Sequence, residues 1–243
     1  MRVPRVFCDV PLAVGEPVSL NEAQSHYLSK VLRLEAGRPL KLFNGDGREY
    51  QATVVQVGKR SVEVQIGDAE HIVKESPLHT HLAVGISRGE RMDLVLQKAT
   101  ELGVSRITPL FTERTEVRLQ GERLQKKMEH WRQITISACE QCQRNVLPEL
   151  AEAQDLEVFL REPNNDLKLV LHHRSETTLK QYAPQTGVTL LIGPEGGLSD
   201  SEIQLAIEHF QYAPLTLGPR VLRTETAPLA ALTAVQLLWG DLS

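Results

Sequence analysis

Two stretches of the chain combine glycines with residues that could do chemistry. The first is "LLIGPEGGLSDSE", residues 190–202, and the second is "LGPRVLRTETA", residues 217–227. Each follows a short apolar run, as expected for a loop at the end of a buried strand. Arg223 and Glu225 leave the second loop two residues apart, which pairs a cation with a carboxylate. Such a pair could take part in acid–base chemistry, or it could be a salt bridge at a helix start.

The first loop has the composition of a ligand cradle. Gly193, Gly196 and Gly197 permit close approaches that side chains forbid. Ser199 and Glu202 then have the S-x-x-E spacing of a capping box, which predicts that a helix begins there. The same residues also fit a tight turn followed by a well-capped helix, and the loop alone leaves both interpretations open.

Phosphate-bearing cofactors do not fit this loop. A P-loop requires G-x-x-x-x-G-K-[ST], and no lysine follows these glycines. The dinucleotide fingerprint G-x-G-x-x-G is also missing, and Glu195 would repel a phosphate. A neutral or cationic ligand such as S-adenosylmethionine suits the loop better, and a nucleotide-dependent enzyme is disfavoured.

The second part of the chain must position these loops. The runs "LHTHLAVGI", "RITPLF", "LKLVLHH", "VTLLIGP" and "PLTLG" are predicted strands, and helical patterns lie between them. Alternating strands and helices predict an α/β domain with a parallel sheet, whose ligands lie at the carboxyl ends of the strands. The last predicted helix, "APLAALTAVQLLWG", is apolar almost all round and is buried either by its own domain or by a second subunit.

The first part of the chain is predicted to be mainly β structure. Turns at "NGDG" and "GKRS" separate short apolar runs, which predicts a small barrel. One helix is predicted in "NEAQSHYLSKVLRL", with Asn21 as N-cap and with Leu28, Val31 and Leu32 on its apolar face. A linker is predicted in "GDAEHIVKESP". The predicted domains are therefore 1–70, a linker at 71–77, and 78–243.

Composition narrows the class of protein. No run approaches the roughly 20 apolar residues that span a bilayer, and the start of the chain has no secretory h-region. Three cysteines favour a reducing cytoplasm over a disulfide framework. A net charge of −4 argues against a non-specific nucleic-acid coat but allows a local basic patch. Cys139 and Cys142 form C-x-x-C without a second pair, so no metal is predicted.

Both loops, with "HYLSKVLRLEAG", "SRGERMDLVLQKATELGV", "ACEQCQRNVLPE" and the final "WGDL", resemble the RsmE family of the SPOUT methyltransferases. The resemblance extends over nearly the whole chain. It implies S-adenosylmethionine-dependent methylation of N3 of a uridine in 16S rRNA, within small ribosomal subunit particles. It further implies an N-terminal barrel related to PUA domains, a C-terminal α/β domain with a trefoil knot, and a cytoplasmic homodimer without metal.

The resemblance also implies roles for individual residues. Arg223 and Glu225 are the predicted catalytic residues. The predicted cofactor-binding residues come from three loops: Leu171, His172, Ile192, Gly193, Pro194, Glu195, Gly196, Gly197, Leu217, Gly218, Arg220, Leu222, Thr224 and Thr226. The predicted RNA-binding residues are basic: Arg2, Arg5, Lys30, Arg33, Arg88 and Arg114.

Two other functions stay open at this point. The same fold could methylate another RNA position, either a ribose 2′-oxygen or another base. The chain could also be a non-catalytic RNA-binding factor of ribosome assembly, which would not need S-adenosylmethionine.

Overall fold

The computed structural model describes residues 3–58, 61–117, 119–172 and 174–242. Its contacts divide the chain into two units. The first unit runs to Glu75 and also takes in Cys139–Leu147, whereas the second consists of Ser76–Ala138 and the chain from Pro148 onward. Each unit has its own apolar core.

The first unit is built on one mixed sheet. Strand β1 pairs parallel with β3, and the other neighbours are antiparallel, in the order β1-β3-β4-β5-β2. The predicted turns at Asn44 and Gly58 connect β3 to β4 and β4 to β5. The five strands are Arg5–Phe7, Pro17–Ser19, Pro39–Phe43, Arg48–Val57 and Val62–His71, numbered β1 to β5.

Strand β5 is longer than the composition predicts. The linker was expected to begin at Gly67, but the strand continues to His71, where it pairs with Arg48 of β4. Antiparallel pairing with a long neighbouring strand satisfies the backbone of this polar segment and keeps it in the sheet. The domain limits of 70 and 78 remain predictions.

The single predicted helix of the first unit is two different elements. Helix α1, Glu22–His26, has a complete capping box, because the Asn21 carboxamide accepts from Gln24 N–H and the Gln24 carboxamide accepts from Asn21 N–H. A π-helical turn, Tyr27–Val31, follows directly. The extra residue per turn rotates Val31 into solvent, so its prediction as part of the apolar face was wrong, whereas Leu28 is fully buried.

The second unit contains the predicted parallel sheet. All its paired strands run parallel, in the order β12-β10-β11-β6-β7-β8, with β9 also on β7. The two-residue strands β8 and β9 were not predicted, because two residues carry no periodicity. The strands are His79–Gly85, Arg106–Phe111, Glu149–Leu150, Gln154–Asp155, Leu167–Leu171, Gly187–Ile192 and Ala213–Leu215, numbered β6 to β12.

The helices of this part of the chain follow the predicted pattern. Helix α6 lies against α2, β6 and β11, and it buries Leu232 and Val235 completely. The last turn of α3 belongs to the first unit and the rest of it to the second. The helices are Glu90–Glu101, Gly121–Cys142, Leu156–Leu160, Asp200–Phe210 and Thr226–Trp239, numbered α2 to α6, with a short 3₁₀ turn at Leu179–Gln181. No helix among the described residues has both the length and the apolar character needed to cross a membrane.

Candidate active site

A cavity of about 500 Å³ opens in the second unit where β10, β11 and β12 end. Its wall consists of the loops that follow these three strands, together with Arg91 from the first turn of α2. Because the strands are parallel, their carboxyl ends meet at one edge of the sheet. The two glycine-containing stretches of the sequence therefore meet at one site.

The first loop is packed so closely that glycine is required in it. A Cβ on Gly193 would overlap the backbone nitrogen of Leu198. Gly197 has φ +67°, and its N–H donates to the Pro194 carbonyl at 2.8 Å, closing the turn. A Cβ on Gly85, in β6, would overlap the Pro194 ring. The loop is therefore pressed against the neighbouring strand, and its backbone forms part of the cavity wall.

The predicted capping box fixes the end of this loop. Ser199 Oγ accepts from Glu202 N–H at 3.2 Å, and Glu202 Oε2 accepts from Ser199 N–H at 2.8 Å. The second carboxylate oxygen of Glu202 accepts from the backbone N–H of Glu113 at 2.7 Å. One side chain thus holds the start of α5 and joins it to the segment after β7.

Thr224 joins the second loop to the first. Its hydroxyl lies 3.0 Å from Ser87 Oγ and 3.4 Å from the Gly193 carbonyl oxygen. Thr224 is buried, and Gly218 in the same loop has φ +105°, which favours glycine. Three separate parts of the chain are therefore held together beside the cavity.

Arg91 lies between the carboxylates of the two loops. Its Nη1 donates to Glu195 Oε1 at 3.0 Å, and its Nε lies 3.8 Å from Glu225 Oε2. Glu195 Oε1 also accepts from the backbone N–H of Arg88 at 2.7 Å. Burial raises the pKa of Glu195, but hydrogen bonds from Arg88 N–H, its own N–H and Arg91 outweigh this, so the pKa is lowered. Glu195 is therefore ionised at neutral pH and paired with a cation.

Glu225 has a different environment. Its Oε2 atom is buried and has no hydrogen-bond partner among the described residues, and Glu225 is one of the residues that line the cavity. A buried oxygen without a donor is costly unless a ligand or water supplies one. The site therefore offers an acceptor to whatever enters the cavity.

Comparison with known proteins agrees with this geometry. A family profile described as an RNA methyltransferase domain matches residues 74–236, and one described as an RNA methyltransferase PUA domain matches residues 20–67. The ribosomal RNA small subunit methyltransferase E of Buchnera aphidicola is 37% identical over 100% of this chain and 99% of its own length. The enzyme of the same name from Bacillus subtilis is 30% identical, with 92% of each chain covered.

The chain belongs to the ribosomal RNA small subunit methyltransferase E family. Two solved structures support this at the level of the fold. A methyltransferase from Legionella pneumophila, in complex with the bound cofactor SAM, superposes with TM-score 0.96 at 46% identity over both complete chains. The ribosomal RNA small subunit methyltransferase E from Neisseria gonorrhoeae, bound to S-adenosyl methionine, gives TM-score 0.92 at 37% identity over both complete chains.

In this member of the methyltransferase E family, nearly all the predicted cofactor-binding residues line one cavity. Thr226 is the exception, because it lies in the first turn of α6 with its side chain exposed. The two predicted catalytic residues also line it, Arg223 exposed and Glu225 half-buried. The predicted cofactor-binding residues that line the cavity are Leu171, His172, Ile192, Gly193, Pro194, Glu195, Gly196, Gly197, Leu217, Gly218, Arg220, Leu222 and Thr224.

The arginines of the second unit that were predicted to bind RNA are engaged within the protein. Arg114 Nη1 donates to the Gly196 carbonyl at 2.9 Å and to the Leu198 carbonyl at 3.2 Å, so it supports the glycine loop from outside. Arg88 is exposed and pairs with Glu116 at 2.5 Å. An exposed pair of this kind contributes little to stability, so Arg88 can exchange Glu116 for another anion.

The N-terminal basic residues fall into two groups. Arg5 is buried, and its guanidinium donates to Glu49, to the carbonyls of Cys139 and Arg144, and to the Asn145 carboxamide. This geometry favours a structural role for Arg5 over contact with RNA. Lys30 and Arg33 are exposed. Arg2 lies outside the described residues.

The cysteines have an environment that suits packing. Burial and the nearby Glu140 raise the pKa of the Cys8 thiol to about 12. A hydrogen bond with Cys142 and burial raise the pKa of the Cys139 thiol. Among residues 3–58, 61–117, 119–172 and 174–242, no group of three or more His, Cys, Asp or Glu side chains is arranged to hold a metal ion.

Arg91 lines the cavity but was not identified from the sequence. It lies in "SRGERM", three residues after Arg88, which was predicted to bind RNA, but its partner Glu195 is 104 residues away. No local spacing connects them. Only the parallel order of β11 and β6 brings their following segments together.

Proposed function

We propose that the protein methylates N3 of a uridine in 16S rRNA, with S-adenosylmethionine as the methyl donor. The observation that carries this proposal is the convergence of both predicted loops on one cavity, in a chain of the methyltransferase E family. The uridine-N3 specificity follows the family resemblance. The RNA is presented within small ribosomal subunit particles in the cytoplasm.

The cavity fits S-adenosylmethionine in size and in chemistry. Its volume of about 500 Å³ is within the range of about 300–1,000 Å³ that small ligands occupy. Apolar side chains such as Leu171, Ile192 and Leu222 can cover an adenine ring, and the glycine backbone supplies N–H and C=O groups to its edge. Because Arg91 pairs with Glu195, no unpaired charge of the glycine loop faces the ligand.

The residues at the cavity match the demands of the reaction. When bound, S-adenosylmethionine supplies a methyl group on a positively charged sulfur, so no metal is required. The uracil N3 becomes nucleophilic only after it loses its proton. We assign the Glu225 carboxylate, whose Oε2 has no hydrogen-bond donor among the described residues, to accept that proton. We assign the exposed Arg223 guanidinium to stabilise the negative charge that develops on the ring.

Three finer features belong to this proposal. The protein forms a homodimer, and the second unit contains a trefoil knot, as the family resemblance implies. The N-terminal PUA-like domain and the exposed basic residues Lys30 and Arg33 bind the RNA, with Arg88 near the cavity.

The test is methylation of a defined substrate. Purified protein is incubated with labelled S-adenosylmethionine and small-subunit particles from a strain that lacks this enzyme, and the rRNA is digested to nucleosides. We expect label in 3-methyluridine. Label in a 2′-O-methyl nucleoside or another base would favour the same fold with another target. If no nucleoside carried label and calorimetry showed no binding of S-adenosylmethionine, a non-catalytic assembly factor would be favoured.

The role of Glu225 is tested in the same assay. Glu225→Ala should lower turnover by about 10²–10⁴-fold, the usual contribution of a general base, with cofactor affinity near that of the wild type. Activity should recover partly in alkaline buffer, where more uracil N3 is already ionised. Glu157→Ala is the matched control, because Glu157 is exposed and pairs with Arg161 away from the cavity. A Glu225→Ala variant with normal turnover at neutral pH would end this assignment.

A further inference from the structure

The π-helical turn Tyr27–Val31 departs from regular helical structure. The Leu32 N–H donates to the Tyr27 carbonyl at 2.9 Å, and the Leu34 N–H donates to the Leu28 carbonyl at 2.9 Å. Both bonds span more residues than the four of an α-helix. Arg33 then has φ +52°, a conformation that non-glycine residues rarely adopt. Two unusual backbone features therefore occur within seven residues of sequence, 27–33.

This turn exposes an aromatic ring and an aliphatic side chain beside two cations. Tyr27 is 43% exposed and Val31 is 60% exposed. Lys30 and Arg33 are also exposed, and within the part of the chain that the structure describes neither has an ion-pair or side-chain hydrogen-bond partner. We call Tyr27, Lys30, Val31 and Arg33 the π-turn surface.

Packing within the unit does not explain the π-turn surface. The apolar residues that anchor the segment are Leu28 and Leu34, and both are buried in the first core. Glycine adopts the left-handed conformation most readily, yet position 33 in that conformation carries an arginine. Strained conformations that the core does not require are typical of functional sites.

We propose that the π-turn surface binds an unpaired segment of the rRNA substrate. One base stacks on the Tyr27 ring with Val31 beside it, and Lys30 and Arg33 contact the flanking phosphates. This inference rests on the proposed function for the identity of the RNA. The RNA segment is unpaired because a duplex hides the faces of its bases, so an exposed aromatic ring can stack only on a splayed nucleotide.

The chemistry of the π-turn surface favours RNA over a protein partner. Two unpaired cations on one short turn match a phosphate backbone, and an exposed tyrosine matches a base face of any sequence. The surface would orient the substrate particle, while the cavity of the second unit holds the cofactor. Substitutions on it should therefore change RNA affinity and leave cofactor affinity unchanged.

The experiment measures equilibrium binding of the full-length protein to unmodified small-subunit particles, independently of turnover. Tyr27→Ala should weaken binding about fivefold or more, because stacking of one base on an aromatic ring is typically worth about 5- to 150-fold in affinity. Tyr27→Phe should bind like the wild type, and Tyr27→Leu, which keeps the apolar volume, should bind weakly. All three should keep the wild-type S-adenosylmethionine affinity in calorimetry, which reports that the second unit is folded. Circular dichroism and thermal melting report the fold of the first unit, which carries the substitutions.

Salt dependence distinguishes RNA from a protein partner. For Lys30→Ala/Arg33→Ala the slope of log K against log salt should fall by about two, one for each lost phosphate contact. Arg161→Ala/Lys180→Ala removes the same charge from exposed positions of the second unit and should leave the slope unchanged. An unchanged slope in the first variant, or binding by Tyr27→Ala within twofold of the wild type, would overturn the inference. Particles that bind normally but are not methylated would contradict the proposed function instead.

Discussion

Glu195 places a negative charge in the middle of the glycine loop. In the structure this carboxylate accepts hydrogen bonds from Arg91 and from the backbone of Arg88, which lowers its pKa. Its charge is therefore neutralised within the protein, and it holds α2 and the loop together.

Arg91 is the residue on which this arrangement depends. Arg91→Gln removes the cation between Glu195 and Glu225, so both carboxylates lose this ion-pair partner. We expect turnover to fall by at least tenfold, because the loop and the Glu225 carboxyl lose their common partner. We expect cofactor affinity to fall less than turnover. Steady-state kinetics and calorimetry together measure the split between the two effects.

Two variants make this test specific. Arg91→Lys keeps the charge but lacks the planar guanidinium with which arginine contacts two carboxylates. Its activity should therefore lie between that of Arg91→Gln and that of the wild type. Arg123→Gln removes an exposed cation from α3, outside the cavity, and should behave like the wild type. If Arg91→Gln had wild-type turnover, the contact between Arg91 and Glu225 would be irrelevant to the chemistry.

At the scale of elements, periodicity and turn residues predicted most of the second unit. The apolar runs around Leu82, Leu169 and Leu190 form central strands of the sheet, as predicted. Ser199 and Glu202 form the predicted capping box at the start of α5. The prediction failed at Val31 because a π-turn shifts the helical period by one residue. No local pattern encodes such an insertion, because it changes the hydrogen-bond spacing of the turn without a characteristic residue type.

The shape of the glycine loop also depends on a distant element. Gly85, in β6, was not identified from the sequence, yet a Cβ there would overlap the Pro194 ring and lie 2.5 Å from its nitrogen. Gly85→Ala should therefore displace the loop. We expect calorimetry to show at least a tenfold loss of S-adenosylmethionine affinity, with lower thermal stability in a protein that still folds.

A second glycine provides the control for Gly85. Gly67 lies in β5, where a Cβ would meet the Gln51 carbonyl oxygen at 3.5 Å, an ordinary contact. Gly67→Ala should leave cofactor affinity unchanged, because the substitution is sterically permitted and lies in the other unit. If Gly85→Ala bound the cofactor as well as Gly67→Ala does, the close packing of β6 on Pro194 would not shape the site.

At the scale of the whole molecule, the chain does not divide at a single linker. Cys139–Leu147 belong with the first unit, where Arg5 donates to the Cys139 carbonyl and Arg144 pairs with Glu75. Sequence composition predicted one boundary near residue 77. Composition could not predict that Cys139–Leu147 would pack with the first unit. This packing depends on buried hydrogen bonds between residues far apart in the chain, and Arg5 and Cys139 are 134 positions apart.

Helix α6 has one face buried in its own unit and another face that is uncovered. Leu232 and Val235 are fully buried in the core, so this face of the helix is covered by its own unit. The opposite face has no charge, and two large side chains on it are uncovered: Leu237 is 55% exposed and Leu238 is 48% exposed. It consists of Leu229, Ala230, Thr233, Ala234, Leu237 and Leu238, which repeat at helical spacing.

This uncharged face predicts a homodimer that pairs through α6. Leu237→Glu/Leu238→Glu should give a folded monomer, because burying two carboxylates in an apolar interface is unfavourable while the helix keeps its own core contacts. Light scattering after gel filtration measures the mass, and thermal melting checks the fold. Val158→Glu, which places one charge at an exposed valine of α4, should remain dimeric. Leu232→Glu should instead unfold the second unit, since Leu232 is a core residue. A wild-type protein that is monomeric at micromolar concentration would contradict the prediction and leave the exposed leucines to another partner.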